Sequence, residues 1–186
     1  MEEEQILDED QRGKVEKPFA TFGARLAASL VDTLLFIPFM LLGFYNLFAW
    51  KSYTLDVTLS MLLFAYKPFM EWYYKATVGK MAMRLEVVNE NFKQISLSQS
   101  INRHIFYAVG YIISLFSNFY IFHGEGFSEV TDMMALPDFQ KAQLGNLTAL
   151  SQTSSVLLII SVMLIFFDEN RQSLHDKIAK TYCVYR

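Results

Sequence analysis

The sequence predicts an all-α membrane protein with four transmembrane helices, N and C termini in the cytoplasm, and a small cytoplasmic β-hairpin. Of the 186 residues, 53% are apolar and only 19% are charged, whereas an ordinary soluble domain carries about 25% charged residues. The apolar residues are pooled into runs long enough to cross a hydrocarbon core. The basic residues between these runs alternate between many and few along the chain, as the loops of a multi-span protein do.

The number of spans follows from the charges. Three runs contain no Asp, Glu, Lys or Arg, namely 33–50, 105–122 and 142–167. The segment 53–74 is also apolar and aromatic, but Asp56, Lys67 and Glu71 interrupt it. If it crosses too, the segments outside the membrane hold four, one, five, one and four Lys and Arg residues in turn. Because basic segments stay in the cytoplasm, this series predicts four spans with both ends inside.

The predicted spans cover about 25–48, 55–74, 104–122 and 148–167. They are expected to be helices because a spanning segment must satisfy its own backbone hydrogen bonds, and the runs lack the period-two alternation of barrel strands. Residues 1–18 contain an acidic block too polar to pack, which predicts a disordered cytoplasmic tail. Residues 19–186 form the predicted membrane domain.

The loop at about 75–103 is predicted to lie in the cytoplasm. Residues 84–88 alternate polar and apolar side chains, 89–91 are turn formers and 92–95 resume an extended pattern, which predicts a β-hairpin. Ser96 and Gln99 have the spacing of a capping box, so a helix is predicted to begin there and to run into the third span. Residues 181–185 have strand propensity on the same side, and we expect them to add a third strand.

The loop at about 123–147 is predicted to face the opposite side of the membrane. Its apolar residues stand among acids, which predicts a short amphipathic helix on the membrane surface. Pro137 is expected to start or to break that helix.

The composition excludes several classes of protein. A net charge of −3 and an isoelectric point near 5.6 argue against nucleic-acid binding. The single cysteine, Cys183, excludes an intramolecular disulfide and a multi-cysteine metal site. Hydrolase, metalloprotease and phosphate-loop motifs are absent from the sequence. The chain is therefore predicted not to be an enzyme, and no metal or cofactor is expected.

Polar motifs flank the spans in a fixed order. They are Gly23-Ala24-Arg25-Leu26, Leu30-Val31-Asp32, Thr77-Val78-Gly79-Lys80 followed by Leu85-Glu86-Val87-Val88, and the stretch 171–181 that holds Asp176. With these motifs the sequence resembles the RDD family of small bacterial membrane proteins over about residues 19–186. Two family glycines are replaced: the one before the hydrophobic strand, in the region of Met83 and Arg84, and the one before Thr181, which is Lys180.

The resemblance implies a location and a class of function. The location is the bacterial inner (cytoplasmic) membrane, as a multi-pass protein. The function is transport, since Na+/H+ antiport has been proposed for some members of the family. Asp176 corresponds to the second aspartate of the family's name.

Charged residues inside the predicted spans are the candidate functional residues. Arg25 and Asp32 are seven residues apart, which places both on one helix face. A carboxylate at the depth of Asp32 is expected to face protein rather than lipid. Lys67 and Glu71 have the i, i+4 spacing that lets them pair with each other or offer a partner to Asp32.

Two functions follow, and the sequence leaves both open. In the first, Asp32 with Glu71 binds H+ and Na+ in competition, in a transporter that works as a homo-oligomer. In the second, Asp32 pairs with Lys67 or Arg103, and the chain is a non-catalytic scaffold that binds a membrane partner protein. Charges that face a water-accessible cavity favour transport, whereas charges that are paired and dry favour the scaffold.

A separate pairing is predicted at the cytoplasmic face. Asp176 is expected to pair with Arg25 or Lys80 and so to clamp the C-terminal segment to the helices. Arg103 belongs to the same cytoplasmic group of charges.

Overall fold

The computed structural model describes residues 18–145, 156, 160 and 163–186, and this part of the chain is mostly helical with one small sheet. The predicted acidic tail, apart from Pro18, lies outside the described residues. So does most of the predicted fourth span, of which a single turn of 3₁₀-helix, Leu164–Phe166, is described near the end.

Among the residues that the structure describes, two helices are long and apolar enough to cross a membrane. The first is α1, Phe22–Tyr45, which continues through a π-helical turn, Asn46–Trp50, for 29 residues with a mean hydropathy of 2.0. The second is α5, Ile105–His123, with a mean hydropathy of 1.6. Only 11% and 6% of their most apolar windows are buried inside the chain. Their apolar faces are therefore open to the surroundings.

The helix between them, α2, spans Tyr53–Tyr74. It matches the predicted second span in position, and Ser52 caps its first turn by accepting a hydrogen bond from the Leu55 N–H. It is not among the two helices that are long and apolar enough to cross a membrane. A crossing by α2 stays a prediction.

Five other described elements lie near the start of α1 and the end of α2, and we call this group the cap. They are α3 (Val78–Ala82), β1 (Leu85–Asn89), α4 (Leu97–Arg103), α7 (Leu174–Ala179) and β2 (Thr181–Tyr185). β1 and β2 are antiparallel, with Leu85 opposite Tyr185 and Asn89 opposite Thr181. The predicted contribution of 181–185 to the sheet is confirmed.

The second arm of the predicted hairpin is wrong. Only Gln94 forms a bridge, to Val88, and no strand is assigned between β1 and α4. Phe92 has a positive φ of 55°, and the capping box of α4 already begins at Ser96. Too few residues remain between these two points for a strand.

The predicted helix start at Ser96 is confirmed, but its continuity with the third span is wrong. Ser96 and Gln99 form the full capping box. His104, at φ −101° and ψ 11°, then separates α4 from α5, and its backbone N–H donates to the Ile101 carbonyl. This break turns the chain from the cap into the apolar helix.

At the opposite end, the predicted helix of the third loop is confirmed as α6, Leu136–Leu144, with Pro137 in its first turn. Its position on a membrane surface stays a prediction. Lys51, between α1 and α2, binds the loop that precedes α6. Its ammonium donates to the carbonyl oxygens of Phe127, Ser128 and Val130 at 2.9, 2.7 and 2.9 Å.

Candidate functional site

A cavity of about 190 Å³ lies where the cap meets α1, α2 and α5. It is lined by Phe22, Arg25, Leu26, Ser29, Asp32, Lys67, Glu71, Thr77, Lys80, Arg103, His104, Tyr107, Ile165, His175 and Cys183. All four candidate residues named from the spans, Arg25, Asp32, Lys67 and Glu71, therefore face one space. Lys80 and Arg103 of the predicted cytoplasmic group face it too.

Asp32 is held by neutral donors. Its side chain is 3% exposed, and its Oδ1 accepts the Gly79 N–H at 2.7 Å and the Tyr66 hydroxyl at 3.1 Å. The Tyr66 oxygen in turn accepts the Val78 N–H at 2.9 Å. Asp32 faces protein, as its depth in the helix led us to expect.

The close approach of α3 to α1 depends on Gly79. A Cβ at this position would lie 1.9 Å from the Ala28 carbonyl oxygen and 2.9 Å from the Asp32 carboxyl carbon. Only a residue without a side chain fits there, because a Cβ would overlap backbone. The glycine of the Thr-x-Gly-Lys motif thus brings the N–H to the carboxylate.

Glu71 is paired with two cations. The Lys80 ammonium donates to Oε1, and Arg103 Nε donates to Oε2 at 2.9 Å. Glu71 and Arg103 are 2% and 3% exposed. Burial of charges this deep requires pairing and hydrogen bonds, and both are present.

Asp176 stands at the centre of the cap. Its Oδ2 accepts from Arg25 Nη1 at 2.5 Å and from the Ser173 N–H at 3.2 Å, the latter as part of the capping box of α7. Arg103 Nη1 lies 2.5 Å from Oδ1, a charge contact without hydrogen-bond geometry, and donates to Thr181 Oγ1 at 2.6 Å. Arg25 Nη2 also donates to the Arg171 carbonyl at 2.8 Å. Arg103 is thereby shared by Glu71 and Asp176.

The surroundings of Asp176 and His175 move their pKa values. Burial opposes ionisation of Asp176, but Arg103 and Arg25 outweigh it and hold the pKa of this carboxyl well below its usual range. For His175 burial is the largest effect, and it lowers the pKa of the imidazole to about 4. Near neutral pH the cap therefore contains an ionised Asp176 beside a neutral His175.

Several pairings differ from those weighed from the sequence. Among the described residues Asp32 has no cation within ion-pair distance, so the alternatives Asp32–Lys67 and Asp32–Arg103 are wrong. Lys67 and Glu71 do not pair either, because Lys80 and Arg103 occupy both Glu71 oxygens. Of the two partners considered for Asp176, Arg25 makes the contact and Lys80 does not. The role of that contact as a clamp stays a prediction.

Sequence reasoning missed several residues of the site. Gly79 and Thr77 were visible within a motif, yet their contact with α1 depends on folding. Weaker signals marked four polar aromatic residues, namely Tyr66, His104, Tyr107 and His175. Tyr66 and His175 directly precede Lys67 and Asp176. Polar aromatic residues are also common where a buried surface meets water. Their convergence on one cavity is visible only in three dimensions.

The chemistry that this site offers is ionic. The described residues contain no group of three or more His, Cys, Asp or Glu side chains arranged to hold a metal ion. The cavity instead presents a carboxylate with neutral donors, an ammonium and a set of paired charges.

Exposed apolar helices with a buried ionic cluster at one end define a helical membrane protein. The RDD family model matches residues 19–180, most of the chain. The chain belongs to the RDD family. Neither the curated proteins nor the solved structures provided a significant match.

The backbone conformation shows why glycine is usual in the family at the two positions where this chain has another residue. Arg84 and Lys180 both have positive φ, 55° and 53°, a conformation that glycine adopts without the steric cost of a Cβ. Arg84 precedes β1, and Lys180 ends α7 before β2. The backbone keeps the turns that the family's glycines favour even where the side chain has changed.

Proposed function

We propose that the chain is a four-span protein of the bacterial cytoplasmic membrane in which Asp32 binds protons in competition with small cations such as Na+. The observation that carries this proposal is the environment of Asp32. Of the three carboxylates in the cluster, Glu71 and Asp176 each contact two cations, whereas Asp32 is held by a backbone N–H and a hydroxyl. Two cations in contact with a carboxylate stabilise its ionised form, so it does not take up a proton readily. Asp32 has no such restraint and faces the cavity.

The contacts of the cap support the proposed topology. The start of α1 touches the C-terminal segment, since Arg25 contacts Asp176 and Phe19 bridges Val184. The end of α2 and the start of the α4–α5 segment meet there too, through Glu71 and Arg103. If these segments share one side of a membrane, α1 and α5 must each be followed by a return crossing. That makes four spans with both ends on one side.

The experiment is a flux measurement on the full chain in lipid vesicles that contain a pH-sensitive dye. A Na+ or K+ gradient is imposed, and proton movement is compared between wild type, Asp32→Asn and the control Asp138→Asn, whose residue lies on α6. We expect cation-dependent flux in wild type and in the control, and a loss of about tenfold or more in Asp32→Asn. Full flux in Asp32→Asn would contradict the proposal.

A second candidate function, a non-catalytic scaffold, is favoured by the ionic cluster. Arg103 links Glu71 of α2 with Asp176 of α7, and Arg25 links Asp176 with α1, so these charges join elements that are distant in sequence. If wild type shows no flux with any cation, and Asp32→Asn changes only the free energy of unfolding, the scaffold replaces the transporter. Assembly as a homo-oligomer or with a membrane partner stays part of both proposals.

A further inference from the structure

At the end of the helices opposite the cap, three backbone carbonyl oxygens converge on one ammonium group. Lys51 Nζ lies 2.9, 2.7 and 2.9 Å from the carbonyl oxygens of Phe127, Ser128 and Val130, which we call the carbonyl pocket. The same nitrogen lies 5.3 Å from the centre of the Phe127 ring, within the range of a cation–π contact. No carboxylate in the described part of the chain forms an ion pair with Lys51. The cation is therefore held by backbone oxygens and one aromatic ring.

The acceptors of the carbonyl pocket match a primary ammonium group in number. A lysine ammonium has three N–H donors and no acceptor, and the pocket offers three acceptors at hydrogen-bond distance. A guanidinium presents five donors in a planar fork, and Ca²⁺ or Mg²⁺ requires about six or more oxygen ligands, usually with carboxylates among them. The pocket therefore suits a primary ammonium group better than either alternative.

The loop that forms the carbonyl pocket is shaped by its own contacts. Gly126, with a φ of 83°, begins the 3₁₀ turn Phe127–Glu129. The Val130 N–H then donates to the Phe127 carbonyl at 3.2 Å. The side chains of Phe127 and Val130 are buried and belong to one apolar cluster with Ile121 of α5. The three carbonyl oxygens are thus presented by a packed turn.

The backbone around Lys51 directs its side chain to this turn. The π-helical turn at the end of α1 closes with the Lys51 N–H donating to the Asn46 carbonyl at 2.6 Å, and Lys51 has a positive φ of 52°. The side chain of Asn46 is fully buried; its Nδ2 donates to the Ser52 carbonyl at 2.9 Å, and its Oδ1 accepts the Ser52 N–H at 3.1 Å. A left-handed conformation has a steric cost for a residue with a Cβ and persists where the surroundings hold it. Here Asn46 and the carbonyl pocket hold it from two sides.

We infer that the carbonyl pocket is a binding site for a primary ammonium group, that Lys51 is its tethered occupant, and that this contact fixes the loop after α5 to the connection between α1 and α2. The inference is independent of the proposed function. Asp32 stands 19 residues before Lys51, which is about 28 Å along a helix. If the lysine side chain is removed, a free primary ammonium ion is expected to enter the pocket.

The test is amide hydrogen exchange of the loop 124–130 in the full chain in lipid nanodiscs, followed by mass spectrometry. Lys51→Ala removes the side chain beyond Cβ and leaves a space with the shape of n-propylammonium. We expect the loop of this variant to exchange about tenfold faster than in wild type or more, because hydrogen bonds to a charged group are lost. Addition of about 0.1 M n-propylammonium chloride should restore most of the protection by mass action. Equal concentrations of tetramethylammonium chloride, which has the charge but no N–H, and of potassium chloride should not.

Two variants and one measurement on wild type serve as controls. Lys51→Met keeps a side chain of similar length without the charge, so it fills the space, and n-propylammonium should not slow its exchange. Lys141→Ala, at an exposed position on α6, should match wild type. In wild type, Lys51 should react with an amine-acylating ester about tenfold more slowly than Lys141, because its three N–H groups are engaged. This last measurement decides the matter if Lys51→Ala does not fold.

Four results would overturn the inference. Unchanged exchange in Lys51→Ala would show that the contact does not hold the loop. Absence of an effect of n-propylammonium on folded Lys51→Ala would show that the pocket does not bind an ammonium group. Equal protection by all three salts would assign the effect to ionic strength. Acylation of Lys51 as fast as that of Lys141 would show that its ammonium is not held by the pocket.

Discussion

The backbone N–H of Gly79 donates to the carboxylate of Asp32 at 2.7 Å, 47 residues away along the chain. The contact is possible because α3 lies directly against the Ala28 carbonyl of α1. Two separated RDD motifs, one in the first apolar helix and one in the loop after α2, thereby form a single unit. The aspartate that is a candidate for ion exchange is positioned by a glycine.

Replacement of Gly79 by alanine is expected to disrupt this unit. The new Cβ would overlap the Ala28 carbonyl oxygen at 1.9 Å, so α3 must move away and the Asp32 hydrogen bond must lengthen. We expect a loss of about 3 kcal/mol in the free energy of unfolding, measured by denaturation in detergent micelles. Gly23→Ala is the matched control, because nothing lies within 4 Å of a Cβ there. Equal stability of the two variants would contradict the packing described.

Neutralisation of Asp176 is expected to destabilise the cap strongly. Asp176→Asn leaves Arg103 and Arg25 short of a carboxylate in a buried site, which costs about 3–5 kcal/mol for a broken buried pair. Exchange of charges between Arg25 and Asp176 should not restore stability, because an arginine at 176 would face Arg103. The control is Lys177→Gln, which breaks the pair with Asp168 where Lys177 is 50% exposed, and it should cost less than about 1 kcal/mol. A stable double exchange would show that Arg103 is not a partner.

Glycine at the two positive-φ positions should stabilise the chain. Arg84→Gly and Lys180→Gly remove the steric cost of a left-handed conformation, and each is expected to add about 1 kcal/mol after allowance for the entropy of glycine in the unfolded chain. Thermal unfolding in micelles measures the effect. Lys177→Gly, inside α7, is the opposite control and should cost up to about 1 kcal/mol. A loss of stability in Lys180→Gly would mean that its side chain contributes more than its backbone costs.

Acidification should destabilise the cap through His175. The pKa of this imidazole is lowered by burial to about 4, below the unfolded value of about 6.5. Between these values the unfolded chain binds the proton that the folded chain does not. Stability is therefore fully present above about pH 6.5 and falls as the pH drops toward 4, by about 3 kcal/mol in total.

The measurement is the free energy of unfolding between pH 7 and pH 4. His175→Gln should show a shallower decline than wild type over this range. Asp176 stays ionised in the folded chain over this range, so it adds to the slope only near pH 4, where the same carboxyl begins to bind a proton in the unfolded chain. An identical slope in the variant would assign the titration to other groups.

Features that depend on nearby residues were predictable from the sequence. The Ser96–Gln99 capping box and the proline in the first turn of α6 lie where expected, because caps depend on side chains within one helical turn. The burial of Asp32 also followed from its position in an apolar helix.

Long-range partners were not predictable in the same way. Spacing allowed Lys67 to pair with Glu71 or to offer a partner to Asp32, but Glu71 instead contacts Lys80 and Arg103, 9 and 32 residues further along the chain. The neutral donors of Asp32 are a backbone N–H and a tyrosine hydroxyl, which no charge pattern identifies. β1 has its main partner in β2 rather than in the neighbouring segment because a positive φ at Phe92 and an early helix cap leave no room for a local strand.

The pairing of β1 with β2 also bears on the order in which the protein can be assembled. Leu85 lies opposite Tyr185, a hundred residues later, and two long apolar stretches lie between them in the sequence. During translation β1 therefore has no partner strand until these stretches and β2 have been synthesised. Closure of the sheet therefore requires that β2 has been synthesised, and a chain interrupted before Thr181 would retain an open strand edge.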